Sequence, residues 1–234
     1  FIFVIDYKKF LKDVSSMQLT AHQQYLVRPS RDIVYYFFLR NDKSLNYNTY
    51  DKNNVLLDST KLFSNIIDFS VAIGKNEEIH LICITSGGKL KHYINKNNNW
   101  SYKVVSRPDV KSNVYKYLTI YVDGEYTHAF YTKTNLLTQA LSTIEHIYWN
   151  GKDINKVIVS NYIHGKYISP FRISSDNMGN FHMVYKVFYK DNHQLYYNRF
   201  KTLTKTWTSN EPVTDLQNEH SHPYIFIDRE RNLH

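Results

Sequence analysis

His220-Ser-His222 places two imidazoles two residues apart. Side chains alternate with period 2 along an extended segment, so both rings would fall on one side of it. Histidine is the commonest transition-metal ligand, yet two histidines with no carboxylate at a fixed spacing read equally well as exposed loop residues. Near them in type stand His164, His193, the pair Arg107 and Asp109, and Tyr189, all in polar stretches between apolar runs. These seven residues are the candidate ligand-binding set, with no catalytic residue and no metal site assigned. Tyr162, Tyr167 and Tyr189 are candidate platforms for a ring or a base. No phosphate-binding glycine loop, nucleophile motif or zinc-spaced cysteine set is present, and nothing calls for a cofactor.

What positions these residues is a repeat. DIVYYFFLRNDKSLNYNTY, EIHLICITSGGKLKHYIN, YTHAFYTKT with EHIYWNG, and FHMVYKVFYKDNHQLYYNRF share one plan, recurring about every fifty residues. Val34, His80, His128, His182 and the terminal His234 are equivalent, as are Tyr47, Tyr93, Tyr148 and Tyr197 further on. Each copy holds four short runs rich in β-branched and aromatic residues, bounded by turn formers, which predicts four antiparallel strands, a to d. With 7 Gly and 5 Pro against 21 Tyr and 13 Phe, most turns must be made by Asn, Asp, Ser and Lys, of which Asn best tolerates positive φ.

A four-stranded unit of this length is the blade of a β-propeller. The expected fold is all-β: one domain over 1–234, with half a blade at 1–19 (strands c and d), blades at 20–64, 65–113, 114–166 and 167–219, and the start of another at 220–234. The two partial blades either join to close a ring or belong to a larger propeller. Residues 133–144 are an insertion in the third copy, expected as a flap. In a propeller the b–c and d–a connections share one face, and the seven candidates fall there. A position repeated in every blade most simply makes the same structural hydrogen bond, so the strand-b histidines and the strand-c tyrosines are assigned to packing.

G-N-F-H-M-V-Y followed by L-Y-Y and W resembles the repeats of bacterial propellers of the sialidase-like, BNR-repeat kind. That resemblance implies a possible glycoside hydrolase, with Asp-boxes in the c–d turns and a trio of arginines. The turns here read DKNN, NKNNN, NGKD and KTLTKT, none an Asp-box, although Trp100 and Trp207 stand where its aromatic would. Arg28 and Arg172 occupy strand a without a third partner. A hydrolase also needs two carboxylates across the bond; Asp109, Glu145, Asp191 and Glu219 are available. The expectation is therefore a non-catalytic recognition module for a glycan or protein partner, with a glycoside hydrolase as the alternative.

Twenty-nine Lys and Arg against 21 Asp and Glu give +8, which favours solubility and loose attraction to polyanions, but the lysines are spread through all copies and no nucleic-acid stripe follows. Cys83, the only cysteine, sits in LICIT as a small hydrophobe and excludes an intrachain disulfide. No run reaches a membrane span. An extracellular or cell-surface location is favoured over a cytoplasmic one, and the oligomeric state is open.

Overall fold

The computed structural model describes residues 19–96, 99–138, 141–163, 170–189, 191–215, 217–220, 222–228, 230 and 232–234. The half blade expected at 1–19, and with it any ring closure by residues 1–6, lies outside these apart from Leu19. Among the described residues every regular element is a strand. Four consecutive meanders form four sheets: β1 (Leu19–Val27), β2 (Ile33–Arg40), β3 (Leu45–Asp51) and β4 (Leu56–Phe63); β5 (Ile66–Ile73), β6 (Ile79–Thr85), β7 (Leu90–Lys96) and β8 (Asn99–Ser106); β9 (Asn113–Val122), β10 (Thr127–Asn135), β11 (Leu141–Trp149) and β12 (Ile154–Ile163); and β13 (Phe171–Ser175), β14 (Phe181–Tyr189) and β15 (Asn192–Lys201) with the two short strands β16 (Thr206–Trp207) and β17 (Glu211–Pro212), both paired to β15.

The chain divides into two compact units. The first takes in the chain up to Lys111, Leu118–Ala129 and Trp149–Lys152; the second holds Ser112–Tyr117, Phe130–Tyr148 and Asp153–His234. In the first unit β2 is buried on both faces. Tyr35, Phe37 and Leu39 point to a core with Phe69, Val71, Leu81, Cys83 and Tyr93, while Tyr36 and Phe38 point the other way onto Tyr50. Period-2 alternation would leave one face polar; the unbroken apolar run YYFFL is what a doubly covered strand requires. The fourth strand needs no such run, and β4 (LLDSTKLF) is mostly exposed. Along the first strands, side chains join neighbouring sheets. Asp68 Oδ2 and Ser70 Oγ accept the backbone N–H groups of Leu118 and Ile120 at 3.0 and 3.1 Å, and the Tyr25 hydroxyl donates to the Leu118 carbonyl at 3.4 Å.

Asn54 and Asn65 take positive φ in turns, as expected, but so do Lys43, Glu77, Asp191 and Lys205. Gly88 is required twice over: φ is +70°, and a Cβ there would lie 2.6 Å from the Pro108 carbonyl oxygen. The insertion at 133–144 is no flap. Its first residues extend β10 and its last open β11, because alternating Thr and Lys against Ser and Thr continue the ladder, with Thr134 and Ser142 bonded through their hydroxyls.

The repeated histidines share one structural role. Asp176 Oδ1 accepts the backbone N–H groups of Met178 and Asn180 at 2.9 and 2.8 Å, and its Oδ2 accepts from the Asn180 amide and from His182 Nε2 at 2.9 and 3.4 Å. Asp123 meets His128 Nε2 at 3.2 Å, Asp228 meets His234 Nε2 at 3.0 Å, and Glu78 lies 3.5 Å from His80 Nε2. In these four copies the a–b turn is thus a carboxylate clasp closed by the repeated histidine, whereas the first copy carries Val34 at that position. The last clasp holds a short hairpin in which Ile227 bridges Leu233. The tyrosines join in: Tyr197 O–H reaches His182 Nδ1 at 2.8 Å, and Tyr93 and Tyr148 are buried. Asp176→Ala strands three turn donors and one imidazole, and should cost about 1–3 kcal/mol by urea unfolding. A midpoint equal to the wild type would show the clasp to be ornamental.

Candidate functional site

In the second unit the hairpin β14–β15 turns tightly, with Asp191 at φ +69° and Tyr189 paired to Asn192. His193 follows at the head of β15, its ring edge-on to Phe188 at 5.0 Å. The link after β17 then runs back along β15. Val213 N–H donates to the Leu195 carbonyl, Thr214 Oγ1 donates to Gln194 Oε1, and Gln194 Nε2 donates to the Asn218 carbonyl. That zipper sets Glu219 against His193: Oε2 accepts the His193 backbone N–H at 2.8 Å and Oε1 lies 2.7 Å from Nδ1. His220 N–H closes the register by donating to the His193 carbonyl at 2.8 Å.

The His193 backbone N–H, joined by its ring, holds the Glu219 carboxyl below its usual range. An ionised carboxylate only accepts, so Nδ1 carries the proton and the dyad is a fixed-tautomer imidazole on an anchored anion. Lys186, buried on β14, adds positive potential beside Glu219. Such an arrangement can hold a carboxylate ionised and fix its orientation.

The seven sequence candidates separate here. His193 and His220 are brought together. His220 also faces Asp215, with Nε2 3.8 Å from Oδ1. His222 has φ +61°, in the left-handed region, and Ser221, which separates it from His220, lies outside the described residues. Tyr189 ends β14 at 38% exposure. Arg107 and Asp109 are exposed residues of the first unit, where Asp109 accepts the Lys111 N–H at 3.1 Å. His164 and Tyr167 lie outside the described residues. Tyr162 is no platform: it is buried in the second unit and its hydroxyl is pushed up to about 12 by burial. Arg28 and Arg172 serve local backbone, bonding the Ser30, Arg31 and Phe171 carbonyls. Among the described residues no cluster of three His, Cys, Asp or Glu side chains could hold a metal ion.

Three other features escaped sequence reasoning or were weighed too lightly. Glu145, 2% exposed, is pinned by Lys156 at 2.7 Å and Lys133 at 3.8 Å. Asp68, 5% exposed, spends its oxygens on the Phe69 and Leu118 amides. In the first unit Trp149 Nε1, His92 and His80 form a buried chain, with 3.3 Å from Nε1 to His92 Nδ1 and 2.9 Å from His92 Nε2 to His80 Nδ1. Nothing in one sequence pairs residues 57 apart; the only signal was that Trp and His sit in apolar strands.

No protein-family model and no curated protein sequence matches the chain. Solved structures do. The α-L-arabinofuranosidase PaAbf62A from Podospora anserina, in complex with cellotriose, superposes with a TM-score of 0.52 and 10% identity over 83% of this chain and 67% of its own. The α-L-arabinanase of Penicillium chrysogenum, complexed with arabinobiose, gives 0.54 and 9% over 78% and 64%. AofleA from Arthrobotrys oligospora gives 0.56 and 9% over 90% and 63%. The chain spans about two thirds of the length of these structures. Identities this low carry the fold: all-β, built of four-stranded antiparallel sheets, as in β-propeller glycoside hydrolases. They also correct the expectation of a non-catalytic recognition module. Structures of this fold include an arabinofuranosidase and an arabinanase, so the glycoside hydrolase alternative is the better supported. In the first unit and the second alike, no helix is long and apolar enough to cross a membrane among the described residues.

Proposed function

We propose that the chain is the propeller of a glycoside hydrolase acting on a neutral, arabinose-containing polysaccharide. The observation that carries the reading is the likeness in fold to the arabinofuranosidase and the arabinanase. A substrate of that kind lies outside the cell, and the reading places the protein there.

The chemistry calls for carboxylates that reach substrate, and exposure combined with an orienting histidine decides among those present. Asp68 and Glu145 are almost fully buried and already committed to amides and lysines. Glu219 has 41% of its side chain exposed and is oriented from behind by His193. Its carboxyl, held below the usual range by the His193 backbone N–H, suits the ionised role, base or nucleophile, and not that of proton donor. Around it, Tyr189, His193, His220 and His222, all of the second unit, are proposed as sugar contacts.

The test is hydrolysis of linear arabinan, arabinoxylan and 4-nitrophenyl α-L-arabinofuranoside, with released sugar measured by chromatography. Release from at least one substrate is expected, falling about 100-fold in Glu219→Gln while the unfolding midpoint is kept. A folded wild type that releases nothing from any of the three would overturn the reading.

A further inference from the structure

The first unit holds a cleft of about 350 Å³ that shares no residue with the His193–Glu219 site. Ile94, Tyr102 and Trp149 line it together with His80 and His92, and the Trp149 ring is held by its own N–H, which donates to His92 Nδ1 at 3.3 Å. Polar groups of both signs rim it. Lys103 Nζ is anchored by one bond to the Asn150 carbonyl at 2.9 Å and stands 5.8 Å from the centre of the Trp149 ring. Glu125, an exposed carboxylate in the β9–β10 turn, lines it too, as do Ser101 and Thr127.

We propose that this cleft binds a single unit of a neutral saccharide. An anion would meet Lys103 but also Glu125, and a cation would meet the reverse. A purely apolar ligand would desolvate an ammonium, a carboxylate and two hydroxyls without partners, at a large cost. A vicinal diol suits both charges, donating to Glu125 and accepting from Lys103, while the C–H face of the ring lies on Ile94 and Trp149. The volume sits at the small end of the roughly 300–1,000 Å³ of small-molecule pockets, the size of one or two sugar rings. The inference does not rest on the hydrolase reading: a protein with no hydrolytic activity would bind here equally well.

The probes are L-arabinose, D-xylose, D-galactose and L-fucose, with inorganic phosphate as the anionic control, titrated by calorimetry and followed by tryptophan fluorescence. At least one sugar should bind saturably with one site per chain, and phosphate should not compete. Gly151 lines the cleft, and a Cβ added there meets nothing within 4 Å. Gly151→Phe should therefore fold normally and weaken the sugar tenfold or more, as should Lys103→Met, whereas Leu137→Ala, at an exposed position of the second unit, should leave binding unchanged. No saturable sugar binding, phosphate binding in its place, or sugar affinity indifferent to Gly151→Phe would each overturn the proposal. Should Lys103→Met fail to fold, Gly151→Phe decides alone. Loss of polysaccharide hydrolysis with sugar binding intact would bear on the hydrolase reading only.

Discussion

Phe130→Ala is expected to cost about 3–5 kcal/mol, a large part of the stability of an ordinary domain. Phe130 is fully buried in the second unit. His146 stacks on it at 4.3 Å, Phe181 meets it edge-on at 5.3 Å, and Trp207 meets it edge-on at 6.2 Å. His146 also meets Phe181 and Trp207, and all three rings meet Phe200. Removing the central ring leaves partners too large and too interlocked to collapse into the space, so the cavity penalty adds to the lost transfer energy. Leu137→Ala is the control. That leucine is 92% exposed in the β10–β11 turn and should change stability by no more than about 0.5 kcal/mol. Urea unfolding followed by tryptophan fluorescence reads both, since Trp207 reports on the cluster. A Phe130→Ala loss below about 1 kcal/mol would mean that the aromatic cluster is not the core of its unit.

The strands were legible because a doubly covered strand must be apolar on both faces. IHLICIT and YYFFL say so without a structure. The role of the repeated histidines was legible in kind, through their recurrence at the start of strand b. Their partners were readable too. Asp123, Asp176 and Asp228 each stand five or six residues ahead of a histidine, a spacing that a tight turn brings into contact. What could not be read was any pairing set by the register of distant segments. Glu219 reaches His193 only because the link after β17 zips along β15, 26 residues back. The extension at 133–144 misled for a related reason. A longer copy of a repeat lengthens either a loop or the two strands beside it, and the polar alternation of Thr132 to Asn135 permits both. Pairing with the residues after Leu141 decides it.

Acidification from pH 7 to pH 5 should remove about 2 kcal/mol of stability through His92 alone. The cause begins at Trp149, whose indole nitrogen can only donate. His92 Nδ1 must therefore accept, so His92 carries its proton on Nε2 and gives it to His80 Nδ1. His80 in turn carries its proton on Nε2, facing Glu78. Every tautomer in this buried chain is thus fixed, and both rings are neutral. A proton added to His92 would have to go on Nδ1, against the Trp149 N–H. Burial, followed by the nearby His80 and Lys103, pushes His92 down to about 3. Burial pushes His80 down as well, partly countered by Glu78 and assisted by Lys96. The folded pKa of His92 lies below the unfolded value of about 6.5, so the unfolded chain binds more protons as the pH falls. Its stability contribution is whole above about pH 6.5 and is lost progressively toward pH 3. At roughly 1.4 kcal/mol per unit, the loss is about 2 kcal/mol at pH 5 and about 4–5 kcal/mol by pH 3. The interval from 7 to 5 isolates the histidines, because the carboxylates whose titration the fold displaces are moved down, Asp176 and Asp228 among them. Glutamine at this position can accept from Trp149 and donate to His80 without titrating. His92→Gln should therefore fold, and its stability at pH 5 should fall from that at pH 7 by about 2 kcal/mol less than the wild type's. An identical drop in the two proteins, measured by urea unfolding at both pH values, would place the acid sensitivity elsewhere.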